Sequence, residues 1–210
     1  MKENQFSGQG EIEFPSGAKY QGAFKADRYN GQGIYTWPDQ STYMGKFQDG
    51  QRHGQGSYQW PEGADNKSYS GGWKDDKIDG RGTMVNKDGS KYVGQFKSGK
   101  YHGQGRYHWK NGSEHKGRYK EGKIHGQGTY KYYTDDGALT GTYVGRFVDG
   151  KRHGKGGQFT WSDKSYFKGE FKVHAPWNGD LRSPDGELIG KYIEGKKHTC
   201  LLYTSPSPRD

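Results

Sequence analysis

The chain has 210 residues and an unusual balance of side chains. Glycine accounts for 37 of them, about 18% where roughly 7% is ordinary. Leu, Ile, Val and Phe together number only 25, which is too few for a conventional globular core. The formal net charge is +9, and the one cysteine, Cys200, leaves no pair for a disulfide. No apolar run of about 18 residues is present, so we expect no membrane-spanning helix.

Regularly spaced aromatic residues supply the missing apolar surface, since the chain holds 17 Tyr, 9 Phe and 6 Trp. In the stretch Tyr92–Gly112, Tyr92, Gly94 and Phe96 alternate with the residues of a second, mostly polar face. This period of two predicts a strand, and the glycine-containing segment Ser98–His102 predicts a turn. One repeat is therefore predicted to be a β-hairpin with an aromatic-and-glycine face and a polar face.

The same pattern recurs along the chain in steps of 21 to 28 residues, which is typical of stacked-repeat architectures. Its first residues are Tyr20, Tyr43, Tyr69, Tyr92, His115, Tyr143, Phe167 and Leu188. The opening half reads Tyr-x-Gly-x-Phe, at Tyr20, Gly22, Phe24, Tyr43, Gly45, Phe47, Tyr92, Gly94, Phe96, Tyr143, Gly145 and Phe147. The closing half reads His-Gly-x-Gly, at His53, Gly54, Gly56, His102, Gly103, Gly105, His125, Gly126, Gly128, His153, Gly154 and Gly156.

Three departures from this pattern carry their own predictions. Gly156 is followed by a second glycine, which shifts the following aromatic residues by one and predicts a β-bulge. An insertion over Tyr132–Thr142 predicts a longer loop. In the last complete repeat, the run Trp177–Asp180 replaces His-Gly-x-Gly, so the pattern does not specify its closing strand.

The repeat resembles the MORN (membrane occupation and recognition nexus) repeat, and the resemblance covers roughly Phe6–His198. It implies an all-β fold, an elongated, twisted, single-layer array of antiparallel β-hairpins. We expect residues 1–19 to be an incomplete first repeat and residues 20–198 to be the array, with about seven repeats and the last one incomplete. Residues 199–210 resemble a junction followed by a translated sequencing adapter, the alternative being an ordinary tail.

Positive charge is concentrated in the middle of the chain. Residues 1–85 carry a net charge of −1, residues 86–131 carry +8, and residues 132–199 carry +2. The alternation places seven cations of this region on the face opposite the aromatic residues: Lys97, Arg106, Lys110, Lys116, Arg118, Lys120 and Lys131. Such a patch fits an anionic membrane surface or an acidic protein, and it equally fits a solvated face that keeps the sheet soluble.

Other chemistry is disfavoured by spacing. Nucleic acid is not expected as a partner, because Tyr107 and Trp109 alternate away from Arg106 and Lys110. The recurring histidines would lie roughly 9.6 Å apart in neighbouring hairpins, too far to share a metal ion, so we expect them to hydrogen-bond turn backbone. The Gly-x-Gly pairs lack the helix and spacing of a nucleotide-binding loop. No cofactor, metal, catalytic residue or small-molecule substrate is predicted.

These observations predict a non-catalytic interaction scaffold that binds protein partners. The MORN resemblance adds anionic phospholipid surfaces, homodimerisation, and cytoskeletal or ciliary assembly to what we expect of it. Because no signal peptide is recognisable, we expect a cytoplasmic protein, associated peripherally with a membrane or with the cytoskeleton. The alternative is a targeting or regulatory module of a larger enzyme, such as a phosphoinositide kinase or SET-type methyltransferase, whose catalytic domain lies outside this segment.

Overall fold

The computed structural model describes residues 5–199, and every regular element in that range is a β-strand. Within it, no helix is long and apolar enough to cross a membrane. The chain divides into two compact units. Residues 5–110 with 119–122 form the N-terminal unit, and residues 111–118 with 123–199 form the C-terminal unit.

The N-terminal unit contains β1 (Gly8–Glu13), β2 (Lys19–Lys25), β3 (Arg28–Thr36), β4 (Thr42–Gln48), β5 (Gln51–Gln59), β6 (Asn66–Lys74), β7 (Lys77–Asn86), β8 (Lys91–Lys97) and β9 (Lys100–His108). Strand β10 (Glu114–Lys120) has residues in both units. The C-terminal unit continues with β11 (Lys123–Tyr133), β12 (Leu139–Val148), β13 (Lys151–Arg152), β14 (Gly154–Trp161), β15 (Tyr166–Lys172), β16 (Ala175–Arg182), β17 (Leu188–Ile193) and β18 (Lys196–Thr199).

Within each unit, consecutive strands pair antiparallel in chain order, with β12 pairing to both β13 and β14. Successive hairpins therefore build an open sheet. The predicted all-β array of antiparallel hairpins is confirmed. The predictions for residues 1–4 and 200–210 lie outside the described residues.

One face of the sheet, here called the inner face, carries two rows of residues that run across the strands. In the N-terminal unit, cross-strand pairing aligns Ile12, Tyr20, Tyr35, Tyr43, Tyr58, Tyr69, Met84, Tyr92 and Tyr107 in one row, and Gly10, Gly22, Gly33, Gly45, Gly56, Gly71, Gly82, Gly94 and Gly105 in the other. The tyrosine rings lie over the glycines. At Gly33, for example, an added Cβ would stand 2.5 Å from the Tyr20 hydroxyl oxygen. Only glycine leaves room for the ring.

The hairpin turns have two residues and are left-handed at both of them. Ser98 and Gly99, for example, have φ values of 48° and 82°, which is typical of a type I′ turn. The turn is therefore shorter than the predicted Ser98–His102, and His102 lies within β9. The Gly99 N–H also donates to the Ile78 carbonyl of the preceding hairpin at 2.8 Å, and Gly150 contacts Ile124 in the same way. These bonds fix the register between neighbouring hairpins.

The bulge predicted at the double glycine is confirmed by a register shift between Gly154 and Gly157. Ordinary repeats have a different irregularity, a shift between the two strands of one hairpin, at Gly22/Phe24, Gly45/Phe47 and Gly71/Trp73. Their pairings with the next hairpin, β3–β4, β5–β6 and β7–β8, have no register shift, so the bulge against β15 belongs to the double glycine. In the His-Gly-x-Gly motif the first glycine adopts positive φ, 72° at Gly54 and 57° at Gly103.

Two further sequence predictions are corrected by the structure. The insertion over Tyr132–Thr142 does not lengthen the loop, because β11 and β12 extend to 11 and 10 residues and absorb it with a register shift at Tyr132/Tyr133. The closing strand that the pattern left unspecified does form, as β16, and it pairs with both β15 and β17.

Candidate functional site

The repeat-defining aromatic residues build the core. Tyr20, Tyr43, Tyr92 and Tyr143 are fully buried, and each hydroxyl donates to the backbone carbonyl three residues further on, at 2.8–3.0 Å. The phenylalanines of the same motif are 1–7% exposed: Phe24, Phe47, Phe96 and Phe147. Burial raises the pKa of Tyr20 to about 12. These residues stabilise the array and offer no surface to a ligand.

Two of the four recurring histidines lie close to turn carboxylates. His53 Nδ1 lies 3.4 Å from Asp75 Oδ1, and His125 Nδ1 lies 3.7 Å from Asp149 Oδ1. The buried Nδ1 atom of His102 has no hydrogen-bond partner. The predicted hydrogen bonds to turn backbone are therefore not the interactions found here. Among residues 5–199, no group of three or more His, Cys, Asp or Glu side chains could hold a metal ion.

The seven cations of the predicted basic patch are exposed and fall in both units. Lys97, Arg106, Lys110 and Lys120 belong to the N-terminal unit, and Lys116, Arg118 and Lys131 belong to the C-terminal unit. Lys116, Arg118 and Lys120 occupy alternate exposed positions of β10, as predicted from the period of two. Lys110 is an exception, because β9 ends at His108 and Lys110 lies in the following turn.

Acidic side chains from other elements lie near part of this patch. Glu121 pairs with Lys100 at 2.9 Å, and its pKa is lowered by this hydrogen bond and charge and, more weakly, by Lys97. The pKa of Asp88 is lowered mainly by hydrogen bonds from Ser90, with a smaller contribution from Lys110. The patch is therefore less purely basic than the alternation along single strands indicated.

A groove of about 610 Å³ lies beside the hairpin turns of the N-terminal unit. It is lined by the end of β6, by β7, by the β8–β9 hairpin and by their turns: Lys74, Asp75, Lys77, Asp79, Gly80, Arg81, Gln95, Phe96, Lys97, Ser98 and His102. It thus joins one residue of the predicted patch, Lys97, to cations of the preceding hairpin. We call this feature the basic groove.

The basic groove has an excess of positive charge. Four exposed cations line it, Lys74, Lys77, Arg81 and Lys97, against the two carboxylates Asp75 and Asp79. Both carboxylates have partners in the fold: Asp79 Oδ2 accepts from the Ser98 N–H at 3.1 Å, and Asp75 faces His53. The cations are therefore the groups that the groove presents to a ligand.

Three of these four cations, Lys74, Lys77 and Arg81, were not predicted as part of a basic patch. They lie within residues 1–85, where acidic side chains cancel them in a net charge of −1. Pairing Arg81 with Gln95 across β7 and β8 would have placed them beside Lys97. Arg52 pairs with Phe47 on the inner face and lies among aromatic rings.

The fold and groove define a β-hairpin repeat protein with a charged surface. The sequence profile of the MORN repeat matches residues 1–19, 20–42, 43–64, 69–91, 92–114, 115–137 and 143–166. The chain therefore belongs to the MORN repeat family, and the predicted resemblance is confirmed. Six of the matched repeats begin at predicted first residues, from Tyr20 to Tyr143. The predicted starts Phe167 and Leu188 begin no matched repeat.

Solved structures show a weak likeness to the chain. One is the SAS-4 (dCPAP) TCP domain of Drosophila melanogaster in complex with a proline-rich motif of Ana2 (dSTIL), with a TM-score of 0.35 and 12% identity over 91% of this chain and 90% of that one. Another is the TCP10 domain of Danio rerio CPAP in complex with a peptide of STIL, with a TM-score of 0.35 and 10% identity over 89% and 99% of the two chains. No curated protein sequence matches the chain.

Proposed function

We propose that this MORN array is a non-catalytic scaffold and that its basic groove binds an acidic segment of a protein partner. The observation that carries the proposal is the convergence of four exposed cations from two hairpins on one groove, where one of the two acids, Asp79, already accepts a hydrogen bond from the Ser98 N–H. Charges held at a rim of this kind attract an acidic partner and set its orientation. The paired strands fix the backbone positions of these cations, so a partner needs to order only their side chains.

The proposal is tested with a fluorescently labelled 12-residue peptide rich in glutamate and a glutamine-matched control, by anisotropy at low and high salt. We expect salt-sensitive binding of the glutamate peptide alone. The variant Lys77→Glu/Arg81→Glu/Lys97→Glu should weaken it by about 3- to 100-fold, since each lost or reversed charge pair is worth roughly 0.2–1 kcal/mol. The matched control is Lys25→Glu/Lys46→Glu/Lys67→Glu, which reverses three exposed lysines elsewhere in the same unit. Equal losses in both variants would contradict a specific groove.

We further propose that β10 contacts anionic membranes through Lys116, Arg118 and Lys120. Their alternate exposed positions support this, because each basic residue near an anionic lipid surface contributes about 1 kcal/mol. The triple replacement by glutamate should abolish co-sedimentation with phosphatidylserine-containing vesicles. Unchanged co-sedimentation would refute the membrane contact without affecting the groove. In the cell, this proposal corresponds to a cytoplasmic protein at a membrane or cytoskeletal surface.

A further inference from the structure

Two arginines occupy equivalent positions in two different repeats. Arg52 in the N-terminal unit pairs across its hairpin with Phe47, and Arg152 in the C-terminal unit pairs with Phe147. Both precede a His-Gly-x-Gly motif. Both are directed to the inner face by this pairing, among the aromatic rings.

Each guanidinium is surrounded by four aromatic rings from matching positions. Arg52 Cζ lies 4.5–5.9 Å from the ring centroids of Trp37, Tyr43, Tyr58 and Trp73. Arg152 Cζ lies 4.9–5.7 Å from those of Tyr132, Tyr143, Phe159 and Phe171. Cation–π attraction therefore holds both arginines in the same kind of cage.

The two cages differ in the acid that completes them. Arg52 Nε donates to Asp76 Oδ1 at 3.0 Å, and its backbone N–H donates to the same oxygen at 3.0 Å. Asp76 is the second turn residue of the next hairpin, and its own N–H donates to the Arg52 carbonyl at 3.1 Å. In the C-terminal unit, the residue that donates to the Arg152 carbonyl, also at 3.1 Å, is His174. A histidine thus stands where the carboxylate stands in the other repeat.

Arg152 consequently has a buried Nε with no hydrogen-bond partner. The His174 ring does not supply the missing negative charge, because its pKa is lowered by burial and then by the charges of Arg152 and Lys151, which favours its neutral form. A buried donor without an acceptor costs free energy that an incoming carboxylate would recover. His174 and Val173 are exposed, so the His174 ring can rotate without unpacking the core.

We propose that Arg152 binds a glutamate or aspartate side chain of a partner protein, in the place that the Asp76 carboxylate occupies at Arg52. The inference rests on the proposed function in that the partner is acidic, but it assigns a second contact point in the other unit. A carboxylate is the chosen ligand because this chain already satisfies the same cage with one. The planar guanidinium matches a carboxylate through parallel N–H donors.

The experiment follows the Arg152 Nε–Hε resonance by ¹H–¹⁵N NMR during titration with end-blocked hexaglutamate, hexaglutamine or inorganic phosphate. We expect a saturable shift with hexaglutamate alone. The variant His174→Asp should supply an internal acceptor and weaken peptide binding at Arg152 by about 10-fold, the size expected for a hydrogen bond to a charged group. Asp tolerates the left-handed conformation at this position, where φ is 73°, as Asp76 does at 64°.

The reciprocal variant Asp76→His is the matched control and should make the Arg52 Nε resonance respond to hexaglutamate. No shift at Arg152, an equal shift with hexaglutamine, a shift with phosphate, or an undiminished shift in His174→Asp would each overturn the assignment. The resonance reports Arg152 itself, so its response is independent of the basic groove. If the groove variant loses peptide binding at the groove but keeps the Arg152 shift, both sites stand as separate sites. If hexaglutamate binds the groove but the Arg152 resonance does not shift, only the Arg152 site is refuted.

Discussion

At the scale of single residues, His115 is the unusual member of the inner-face ladder. It starts a repeat at the position where five other repeats in the array have a buried tyrosine, and it is fully buried, with its ring 5.2 Å from that of Phe147. Burial lowers the pKa of His115 to about 4. The folded chain thus holds this side chain neutral at a position where it cannot be charged without cost.

The first prediction is that His115 makes the chain acid-sensitive. Because its folded-state pKa of about 4 is below its ordinary 6.5, its contribution to stability is fully present above pH 6.5 and is lost as the pH falls towards 4. When the pH is lowered from 7.5 to 4.5, the free energy of unfolding of the parent should therefore fall by about 2–3 kcal/mol more than that of His115→Tyr, at roughly 1.4 kcal/mol per pH unit. Urea unfolding at both pH values measures this difference.

The control for this prediction is the reverse exchange, Tyr92→His, at the equivalent position of the preceding repeat. It should introduce an acid sensitivity of similar size. Identical pH dependence in the parent and in His115→Tyr would show that this histidine does not titrate with unfolding.

At the scale of the hairpin, the sequence predicts the elements well but their connections less well. The alternation at Tyr92, Gly94 and Phe96 predicted the strands and the buried face, because both follow from local periodicity. The bond from Gly99 to Ile78 joins residues of neighbouring hairpins, and no single-strand pattern encodes it. The basic groove and the Arg152 cage were missed for the same reason, since each is assembled from several strands.

The turns also show where the sequence conflicts with the fold. Val173 is β-branched, 59% exposed and held at a φ of 45° in the first turn position. A β-branched residue is strained in that region, whereas Asn is favoured there. The second prediction is that Val173→Asn raises the free energy of unfolding by about 1–2 kcal/mol, the strain that a disfavoured left-handed residue carries. Chemical denaturation measures the change.

A matched variant separates turn strain from a general effect of asparagine. Ser98→Asn changes the equivalent position of another hairpin, where the φ is 48° and the side chain is not β-branched, so a smaller gain is expected. Ser70→Asn, on an exposed strand position, should give no gain. Equal effects at all three positions would rule out turn strain as the cause.

At the scale of the whole chain, stability is expected to be a sum over neighbouring hairpins. Each ring contacts its own hairpin and the next one: Tyr43 lies 5.0 Å from Phe47 and 5.3 Å from Trp73, and Tyr143 lies 5.0 Å from Phe147 and 4.9 Å from Phe171. In both cases the ring packing joins a repeat to the adjacent one. Arrays of this kind lose structure locally before they unfold as a whole.

The final prediction follows from this nearest-neighbour packing. Tyr143→Ala should lower the free energy of unfolding by about 3–5 kcal/mol, as other large-to-small core changes do. It should also speed amide hydrogen exchange in β11–β16, while the amides of β2–β6 keep their protection. Tyr43→Ala should give the opposite distribution, which makes each variant the control for the other. Hydrogen-exchange mass spectrometry resolves the two segments. If either variant loses protection evenly from β2 to β16, the repeats unfold as one cooperative block and the nearest-neighbour description is wrong, because a local loss of ring contacts would then be transmitted along the entire array.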